Sequence, residues 1–228
     1  MAEQFIDFFD RWAAVYDQSV AGNDVEYKDV FKSYDKILHE VAHRSSGDMI
    51  EFGVGTGNLT KQLVDKGHHI IGIEPSENMR IIAKKKLPEV TIVQGHFLDF
   101  PYMDRKVDTI ASSYAFHHLT DQEKEEAIKI YARLLNTSGK IVFADTIFID
   151  EEAKEQAIAS ALKKNYHRLA NDLQTEYYTT IPYLDHILKT NRFTTQYKQM
   201  NDFVWIIEAK KERINNGETT ETNECRKF

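Results

Sequence analysis

Residues 48–60 read DMIEFGVGTGNLT, a short apolar run that breaks into three glycines, Gly53, Gly55 and Gly57. The run predicts a buried β-strand, and the residues after the glycines predict the start of a helix. Glycine permits positive φ and lets a ligand approach the backbone, while the start of a helix offers unpaired N–H groups. A single glycine would suit an ordinary turn, but three within five residues favour a ligand-binding loop.

Strand and helix patterns alternate beyond this loop. Four more strands are predicted over residues 69–75, 90–95, 107–116 and 139–148, and two more over 192–211 around a polar break at 200–202. The predicted helices between them cover residues 58–67, 76–87 with Ser76 as N-cap, and a segment from Thr120 or Asp121 to Leu135. This alternation predicts an α/β fold with a mainly parallel sheet that is covered on both faces.

Helical patterns also flank the alternating region. Residues 5–16 and 26–43 carry apolar stripes at helical spacing, and residues 151–175 show a helical pattern as well. Residues 210–228 are polar and aperiodic, which predicts a disordered tail behind a single domain of residues 1–209. A chain of 228 residues is long enough to bury a full core in one such domain.

Composition and charge argue against several classes of protein. The formal net charge is −7, whereas nucleic-acid-binding proteins usually present a basic face. Cys225 is the only cysteine, so an internal disulfide cannot form, and the sequence shows no clustered set of metal ligands. The start lacks the lysines of a secretory signal, and no apolar run is long enough to span a membrane. We therefore expect a cytoplasmic protein, monomeric or homodimeric, that binds no metal, nucleic acid or membrane.

Acidic residues around the loop distinguish between ligands. A dinucleotide-binding loop has its third glycine five positions after the first, where this chain has Asn58. Glu51 lies two residues before Gly53, and a carboxylate there would repel a pyrophosphate but attract an ammonium group. Glu74 ends the next strand, where an acid can accept hydrogen bonds from both hydroxyls of a ribose. The loop therefore favours a ligand that carries an amine.

Four segments together resemble the successive motifs of class I S-adenosylmethionine-dependent methyltransferases. They are EFGVGTGN, IEPSENM, QGHFLDF and SSYAFHHL, and WAAVYDQ resembles the opening of small bacterial members of unassigned substrate. The resemblance covers about residues 5–209 and is strongest between 48 and 119. It implies a doubly wound, mainly parallel seven-stranded sheet of the Rossmann-like methyltransferase type. An antiparallel C-terminal strand and an N-terminal helical lid over residues 1–44 belong to that fold.

The resemblance implies S-adenosylmethionine as the cofactor and assigns the loop to its methionine part. On this view Glu51 faces the ammonium group, directly or through water, and Glu74 holds the ribose. Pro75 or Met79, just beyond the second strand, is then expected to pack near the adenine.

Two later segments complete the expected cofactor site. His96 stands where the family often has an aspartate that accepts a hydrogen bond from the adenine amino group, and a neutral histidine can accept there too. Phe97 follows it and is expected either at the adenine or in the core. Ser113 and Tyr114 end the fourth strand, and strand ends of this kind bind ligands in open α/β sheets.

The acceptor is expected at the mouth of the site. His117 is a candidate general base or substrate contact, whereas His118 more readily packs against the following helix. Tyr16 resembles the tyrosine that closes the lid of related enzymes, although the apolar stripe also accounts for it as a core residue. Residues 151–190 are where the family places acceptor-shaping elements, and Arg168 there suits either an acidic substrate group or an exposed ion pair.

The resemblance thus predicts methyl transfer to a small-molecule acceptor by in-line displacement. The sequence carries neither a cysteine near its motifs nor the Asp- or Asn-Pro-Pro-aromatic run that DNA-methylating relatives use. A non-catalytic S-adenosylmethionine-binding protein and a nicotinamide-dependent oxidoreductase remain the alternatives. Cofactor binding and methyl release are the measurements that distinguish the three.

Overall fold

Seven strands form one sheet in the computed structural model, which describes residues 3–101 and 105–213. The strands are β1 (Asp48–Phe52), β2 (His69–Ile73), β3 (Thr91–Val93), β4 (Val107–Ser113), β5 (Leu135–Thr146), β6 (Phe193–Gln199) and β7 (Val204–Lys211). Their order across the sheet is β3-β2-β1-β4-β5-β7-β6. Strands β1 to β5 pair in parallel, and β7 pairs antiparallel to both β5 and β6. This confirms the predicted sheet, including its antiparallel C-terminal strand.

Helices cover both faces of the sheet. They are α1 (Glu3–Trp12), α2 (Tyr16–Gln18), α3 (Tyr34–Arg44), α4 (Asn58–Val64), α5 (Glu77–Lys86), α6 (Asp121–Leu134), α7 (Glu151–Lys163), α8 (His167–Thr175) and α9 (Ile181–Thr190). Successive side chains of β5 alternate between two buried clusters, one shared with α6 and α9 and the other with α3, α4, α7 and α8. No helix in the described ranges is long and apolar enough to cross a bilayer.

The strand order reverses between β1 and β4, and this reversal positions the ligand-binding edge. Because all five parallel strands run the same way, the glycine loop after β1 and the segment after β4 emerge side by side at their carboxyl ends. Ligands of open α/β sheets bind in the crevice outside such a switch point. The fold therefore brings together residues that are about 60 positions apart in the sequence.

The helix predicted over residues 26–43 begins only at Tyr34. Ser33 has a left-handed backbone with φ 65°, which an α-helix cannot continue through. The first predicted helix is likewise interrupted: α1 ends at Trp12, and the chain continues through α2 into a π-helical turn at Ser19–Asn23. The spacing of apolar residues predicted helices in both segments correctly, but it contains no information about single residues whose backbone conformation interrupts a helix.

Other boundaries shift by a few residues. Strand β5 begins at Leu135 instead of residue 139, and helix α6 begins at Asp121 with Thr120 as N-cap. Thr120 and Glu123 form a reciprocal capping box, which fixes that start. Of the predicted tail, residues 210–211 belong to β7, and residues 214–228 lie outside the described ranges.

Candidate functional site

The glycine loop after β1 contains three glycines with left-handed backbone, Gly53, Gly55 and Gly57. Gly53 has φ +69°, and its N–H donates to the carbonyl of Ile73 at 2.9 Å. A Cβ on Gly53 would lie 2.7 Å from the Cβ of Ala115, which no real side chain tolerates. Gly55 has φ +57° but faces open space, so its glycine leaves the backbone accessible. Gly57 closes the loop as the residue before α4.

Replacement of Gly53 or Gly55 by alanine is expected to distinguish backbone strain from a steric clash of the added methyl group. Gly55→Ala meets only the left-handed backbone penalty, about 1–2 kcal/mol of unfolding free energy. Gly53→Ala adds the clash with Ala115, and overpacking of this kind costs about 1–3 kcal/mol more. Urea unfolding of the two variants measures the difference. Equal losses of stability would contradict the close approach of β1 and the segment after β4.

Glu74 binds the loop from the end of β2. Its Oε2 accepts from the Gly55 N–H at 2.8 Å, and its Oε1 accepts from the Ser76 N–H at 2.8 Å. Burial raises the pKa of Glu74 to about 7, although both main-chain donors oppose that rise. A carboxylate has about four lone-pair sites, so each oxygen keeps room for a ligand hydroxyl.

Glu51 is fully buried on β1, directly before the loop. Neither of its carboxylate oxygens has a hydrogen-bond partner among the described residues. Burial, together with the nearby Glu74 charge, raises the pKa of Glu51 to about 8, although the nearby hydroxyl and main-chain N–H of Thr60 oppose that rise. A buried acid without a partner destabilises a fold, so its presence points to a ligand group that it serves.

The N-terminal segment is clasped to both sides of the loop. Asp10 of α1 accepts from the Asn78 N–H at 3.1 Å and pairs with the Ser76 hydroxyl at the start of α5. Asp17 of α2 accepts from the Thr56 hydroxyl at 2.6 Å and from Lys86 at 2.6 Å. These bonds make α1 and α2 a strap across the carboxyl edge of the sheet.

A cleft lies between this strap and the glycine loop. Its walls come from the strap, the loop, the end of β2 and the segment after β4: Phe9, Tyr16, Gly53, Gly55, Glu74, Pro75, Met79, Ser113, Tyr114, Ala115 and His118. Its volume is about 40 Å³, far below the 300–1,000 Å³ typical of ligand sites, so the cleft is closed in this conformation. Seven of the predicted cofactor residues meet here.

Four predicted cofactor residues stand outside the cleft lining. Glu51 is buried on β1, and Gly57 packs against Ala83 and Leu87 at the C-terminal end of α5. His96 bonds within its own loop, where its Nδ1 accepts from the Leu98 N–H at 3.3 Å. The ring of Phe97 stacks on Phe52 with centroids 5.3 Å apart and is buried in the core. The core alternative for Phe97 is the correct one.

A second, larger cavity adjoins the cleft. It measures about 490 Å³ and is bounded by the strap, the residues before α3, helix α8 and the segments after β4 and β5. Nine phenylalanine, tyrosine and tryptophan rings line it, those of Phe8, Phe9, Trp12, Tyr16, Tyr27, Phe31, Tyr114, Tyr178 and Phe203. Four residues belong to both walls: Phe9, Tyr16, Tyr114 and His118. We call this cavity the aromatic pocket.

His117 lies between two carboxylates in this pocket. Its Nδ1 is 2.5 Å from Asp145 Oδ1 at the end of β5, and its Nε2 is 3.2 Å from Glu176 Oε2. Although burial opposes it, Asp145 and Glu176 raise the pKa of His117 to about 10. A general base works best with a pKa near neutrality, so this arrangement does not support the proposed base role of His117. His118 is buried, with its ring centroid 5.1 Å from that of Phe9 on α1.

Sequence reasoning missed the partners of His117. Asp145 lies at the carboxyl end of the parallel strand β5, and this position could have identified it as a candidate site residue. Glu176 follows α8 and meets His117 only through the fold. His117, His118 and Glu176 together bring metal-ligating atoms within 4.8 Å of one another, a cluster that the sequence did not predict.

Arg168 lines the aromatic pocket, and its guanidinium is engaged by acidic side chains of the same chain. It forms ion pairs with Asp24 at 2.8 Å and with Glu26 at 3.1 Å, and its side chain is 60% exposed. It also lies over the ring of Tyr27. The exposed-ion-pair alternative therefore describes it, and it links α8 to the segment before α3.

Close relatives of the chain are methyltransferases. A family model described as a methyltransferase domain matches residues 49–139. An uncharacterized methyltransferase of Anoxybacillus flavithermus is 55% identical over 93% of this chain and its own full length. Another from Bacillus cytotoxicus is 52% identical over the same share of both chains.

Solved structures share the fold. Magnesium protoporphyrin IX methyltransferase (ChlM) from Synechocystis PCC 6803, with bound SAH, gives a TM-score of 0.69 at 18% identity, covering 92% of this chain and 99% of that one. The DhpI–SAH complex gives 0.66 at 16% identity, covering 91% and 95%. At such low identity the likeness shows the fold alone.

Proposed function

Because the chain belongs to the class I S-adenosylmethionine-dependent methyltransferases, we propose that it transfers a methyl group from S-adenosylmethionine to a small molecule in the aromatic pocket. The observation that carries the proposal is the shared wall between pocket and cleft. A cofactor in the cleft and an acceptor in the pocket would meet at Tyr16, Tyr114 and His118.

The residues at the loop fit the proposed cofactor. The orphaned carboxylate of Glu51 suits an ammonium group, and the remaining lone pairs of Glu74 suit a ribose diol. Gly55 leaves room for a ligand beside its backbone, and Pro75 and Met79 offer apolar surface to an adenine. Glu51 beside the loop does not favour a pyrophosphate, which its carboxylate would repel.

S-adenosylmethionine supplies a methyl group on a sulfonium that is already reactive, so the protein mainly has to align the acceptor and exclude water. Tyr16 and Tyr114 are placed to do both, since they face cleft and pocket alike. Burial raises the pKa of both phenols well above the usual value, so they remain hydrogen-bond donors at neutral pH.

The aromatic pocket favours a small acceptor over a polymer. Its volume of about 490 Å³ falls within the usual range for small-molecule sites, and its walls combine aromatic rings with a few carboxylates. The net charge of −7 is unfavourable for the phosphate contacts that a nucleic acid requires.

Incubation of the protein with S-adenosylmethionine and panels of small thiols, amines and carboxylates tests the proposal. We expect S-adenosylhomocysteine to accumulate with at least one panel. Parallel reactions contain bulk nucleic acid or a protein lysate. Salt-sensitive label transfer to either polymer would overturn the small-molecule acceptor, and binding without turnover in every reaction would favour a non-catalytic binder.

Glu74→Ala is expected to weaken S-adenosylmethionine binding by about 1–3 kcal/mol, because ribose hydroxyls in a closed site would lose their acceptor. Part of the loss has a second origin, since Gly55 and Ser76 also lose the bonds that shape the loop. Isothermal titration calorimetry measures the affinity. Glu77→Ala, on the exposed start of α5, is the control and should bind as the unaltered protein does. Unchanged affinity in Glu74→Ala would refute the ribose role.

A further inference from the structure

Three side chains in the aromatic pocket converge on one point. Nε2 of His117 lies 3.2 Å from Oε2 of Glu176, and Nδ1 of His118 lies 3.9 Å from the same oxygen. These ligand atoms all lie within 4.8 Å of one another. We infer that His117, His118 and Glu176 form a binding site for a divalent transition-metal ion of the zinc type.

The spacing suits such an ion. Bonds of about 2.0–2.2 Å in tetrahedral geometry separate neighbouring ligand atoms by about 3.4 Å. Two of the three separations, 3.2 and 3.9 Å, bracket that value, and the third is at most 4.8 Å, so side-chain adjustments would complete the coordination. Two imidazole nitrogens and a carboxylate oxygen are a ligand set that catalytic zinc uses, with a further position left for water or substrate. Calcium and magnesium prefer oxygen ligands and fit less well.

Neighbouring groups already hold the ligands in the orientation that a metal requires. Asp145 Oδ1 lies 2.5 Å from Nδ1 of His117, which directs the other ring nitrogen toward Glu176. Asp145 itself is fixed by the main-chain N–H groups of His117 at 2.9 Å and Thr146 at 2.8 Å. The Tyr178 hydroxyl donates to Glu176 Oε2 at 2.8 Å. Carboxylate–histidine–metal arrangements with a bonded ligand carboxylate are the usual outer shell of zinc sites.

Charge balance also favours a divalent cation. Asp145 and Glu176 are buried or nearly so, and Asp172, which accepts from the Tyr27 hydroxyl, lines the same pocket. Lys124 is a buried cation close to Asp145 and His118 and offsets one of these charges, whereas Arg168 is engaged by Asp24 and Glu26. A net negative charge remains for a metal ion to offset. The metal would displace the proton from His117 Nε2 into solvent.

The consequence for chemistry rests on the proposed function. His118 belongs to the walls of both cleft and pocket, so the ion would lie where acceptor and cofactor meet. An acceptor oxygen or sulfur bound at the open position would lose its proton to water more readily, because the metal stabilises the anion. The pocket would thereby activate the acceptor without a general base.

The test for the metal needs neither cofactor nor acceptor. Protein freed of metal with a chelator is titrated with Co²⁺, followed by its visible absorption, and with Zn²⁺, followed by calorimetry. We expect one equivalent to bind, with an absorption spectrum typical of nitrogen and oxygen ligands. His117→Ala and Glu176→Gln should weaken binding at least ten-fold, and Asp145→Asn about 10- to 100-fold.

A matched control guards against surface binding. His39 and His43 lie one turn apart on the exposed face of α3 with stacked rings, an arrangement that could bind zinc by itself. The double variant His39→Ala with His43→Ala should keep the full stoichiometry and affinity. If His117→Ala does not fold by circular dichroism, Glu176→Gln and Asp145→Asn decide the matter.

Each remaining outcome counts against the site. Failure to bind Co²⁺ and Zn²⁺, or affinity unchanged in Glu176→Gln and Asp145→Asn, would overturn the inference. Thermal stabilisation by tetramethylammonium without any metal binding would instead identify a pocket for an organic cation. S-adenosylmethionine binding is measured separately on metal-free protein, so a failure of the proposed function is distinguishable from a failure of the metal site.

Discussion

Glu51→Gln is expected to make the protein more stable while it loses most of its affinity for S-adenosylmethionine. Removal of one partner from a buried charged pair costs about 2–5 kcal/mol, or about 30- to 5,000-fold in the dissociation constant. The same change removes a buried acid that has no partner among the described residues. Opposite effects on binding and stability would mark Glu51 as a residue retained for its ligand.

The stability gain of Glu51→Gln should depend on pH. The folded pKa of Glu51 is raised to about 8, against about 4.3 for an unfolded glutamate. A raised pKa means that the native protein binds the proton more tightly, so the contribution of Glu51 to stability is lost as pH rises from about 4.3 to about 8. The difference between these two pKa values limits the gain in unfolding free energy to about 5 kcal/mol. The gain will be smaller than this limit, because the buried amide of the glutamine also lacks hydrogen-bond partners.

Thermal unfolding between pH 5 and pH 8.5 measures this effect. We expect Glu51→Gln to gain on the order of 2 kcal/mol at pH 8, or about 4–8 °C in melting temperature, and little at pH 5. Glu77→Gln removes an exposed acid and is the control. A variant that melts lower than the unaltered protein at pH 8, with binding intact, would show that Glu51 has a purely structural role.

Tyr16→Ala is expected to reduce turnover about 100-fold with a much smaller effect on stability. Tyr16 contacts Trp12 through ring centroids 5.0 Å apart and faces both the cleft and the aromatic pocket. Loss of its side chain would leave the acceptor poorly aligned and let water enter, and misplacement by about 1 Å can cost about 100-fold in rate.

Steady-state kinetics and urea unfolding of the same variant distinguish the two roles of Tyr16. Val15→Ala truncates an apolar residue of the strap that is 46% exposed and lines neither the cleft nor the aromatic pocket, and it should leave turnover within a few-fold. A loss of about 3–5 kcal/mol in the free energy of unfolding of Tyr16→Ala is typical of a deep core truncation. That result would assign Tyr16 to the core and not to closure of the site.

Most of the fold could be predicted from patterns of apolar residues and glycines within short stretches of sequence. Strand β1, its loop and helix α4 follow one another in sequence and depend on neighbours close by, so residues 48–60 sufficed to predict them. The late start of α3 depends on the left-handed backbone of Ser33, which no periodicity records. Phe97 could equally face a ligand or the core, and only its contact with Phe52 decides between them.

The chemistry of the pocket was harder to predict because it depends on long-range contacts. His117 was identified from its place after β4, but its pKa depends on Asp145 and Glu176, which are 28 and 59 positions away in the sequence. Neither acid stands in a recognisable spacing with the histidines. The strap shows the same limit, since Asp10 and Asp17 look like ordinary surface acids until the fold brings them to α5 and the loop.

The position of β7 has a consequence for synthesis of the chain on the ribosome. This strand lies between β5 and β6, although it follows both in sequence. Until Val204–Lys211 have emerged, β5 exposes an apolar edge and β6 has no neighbour to pair with. A nascent chain that stalls before this point would hold an incomplete sheet and be prone to association with other chains. The sheet is therefore completed by the strand that comes last in sequence order.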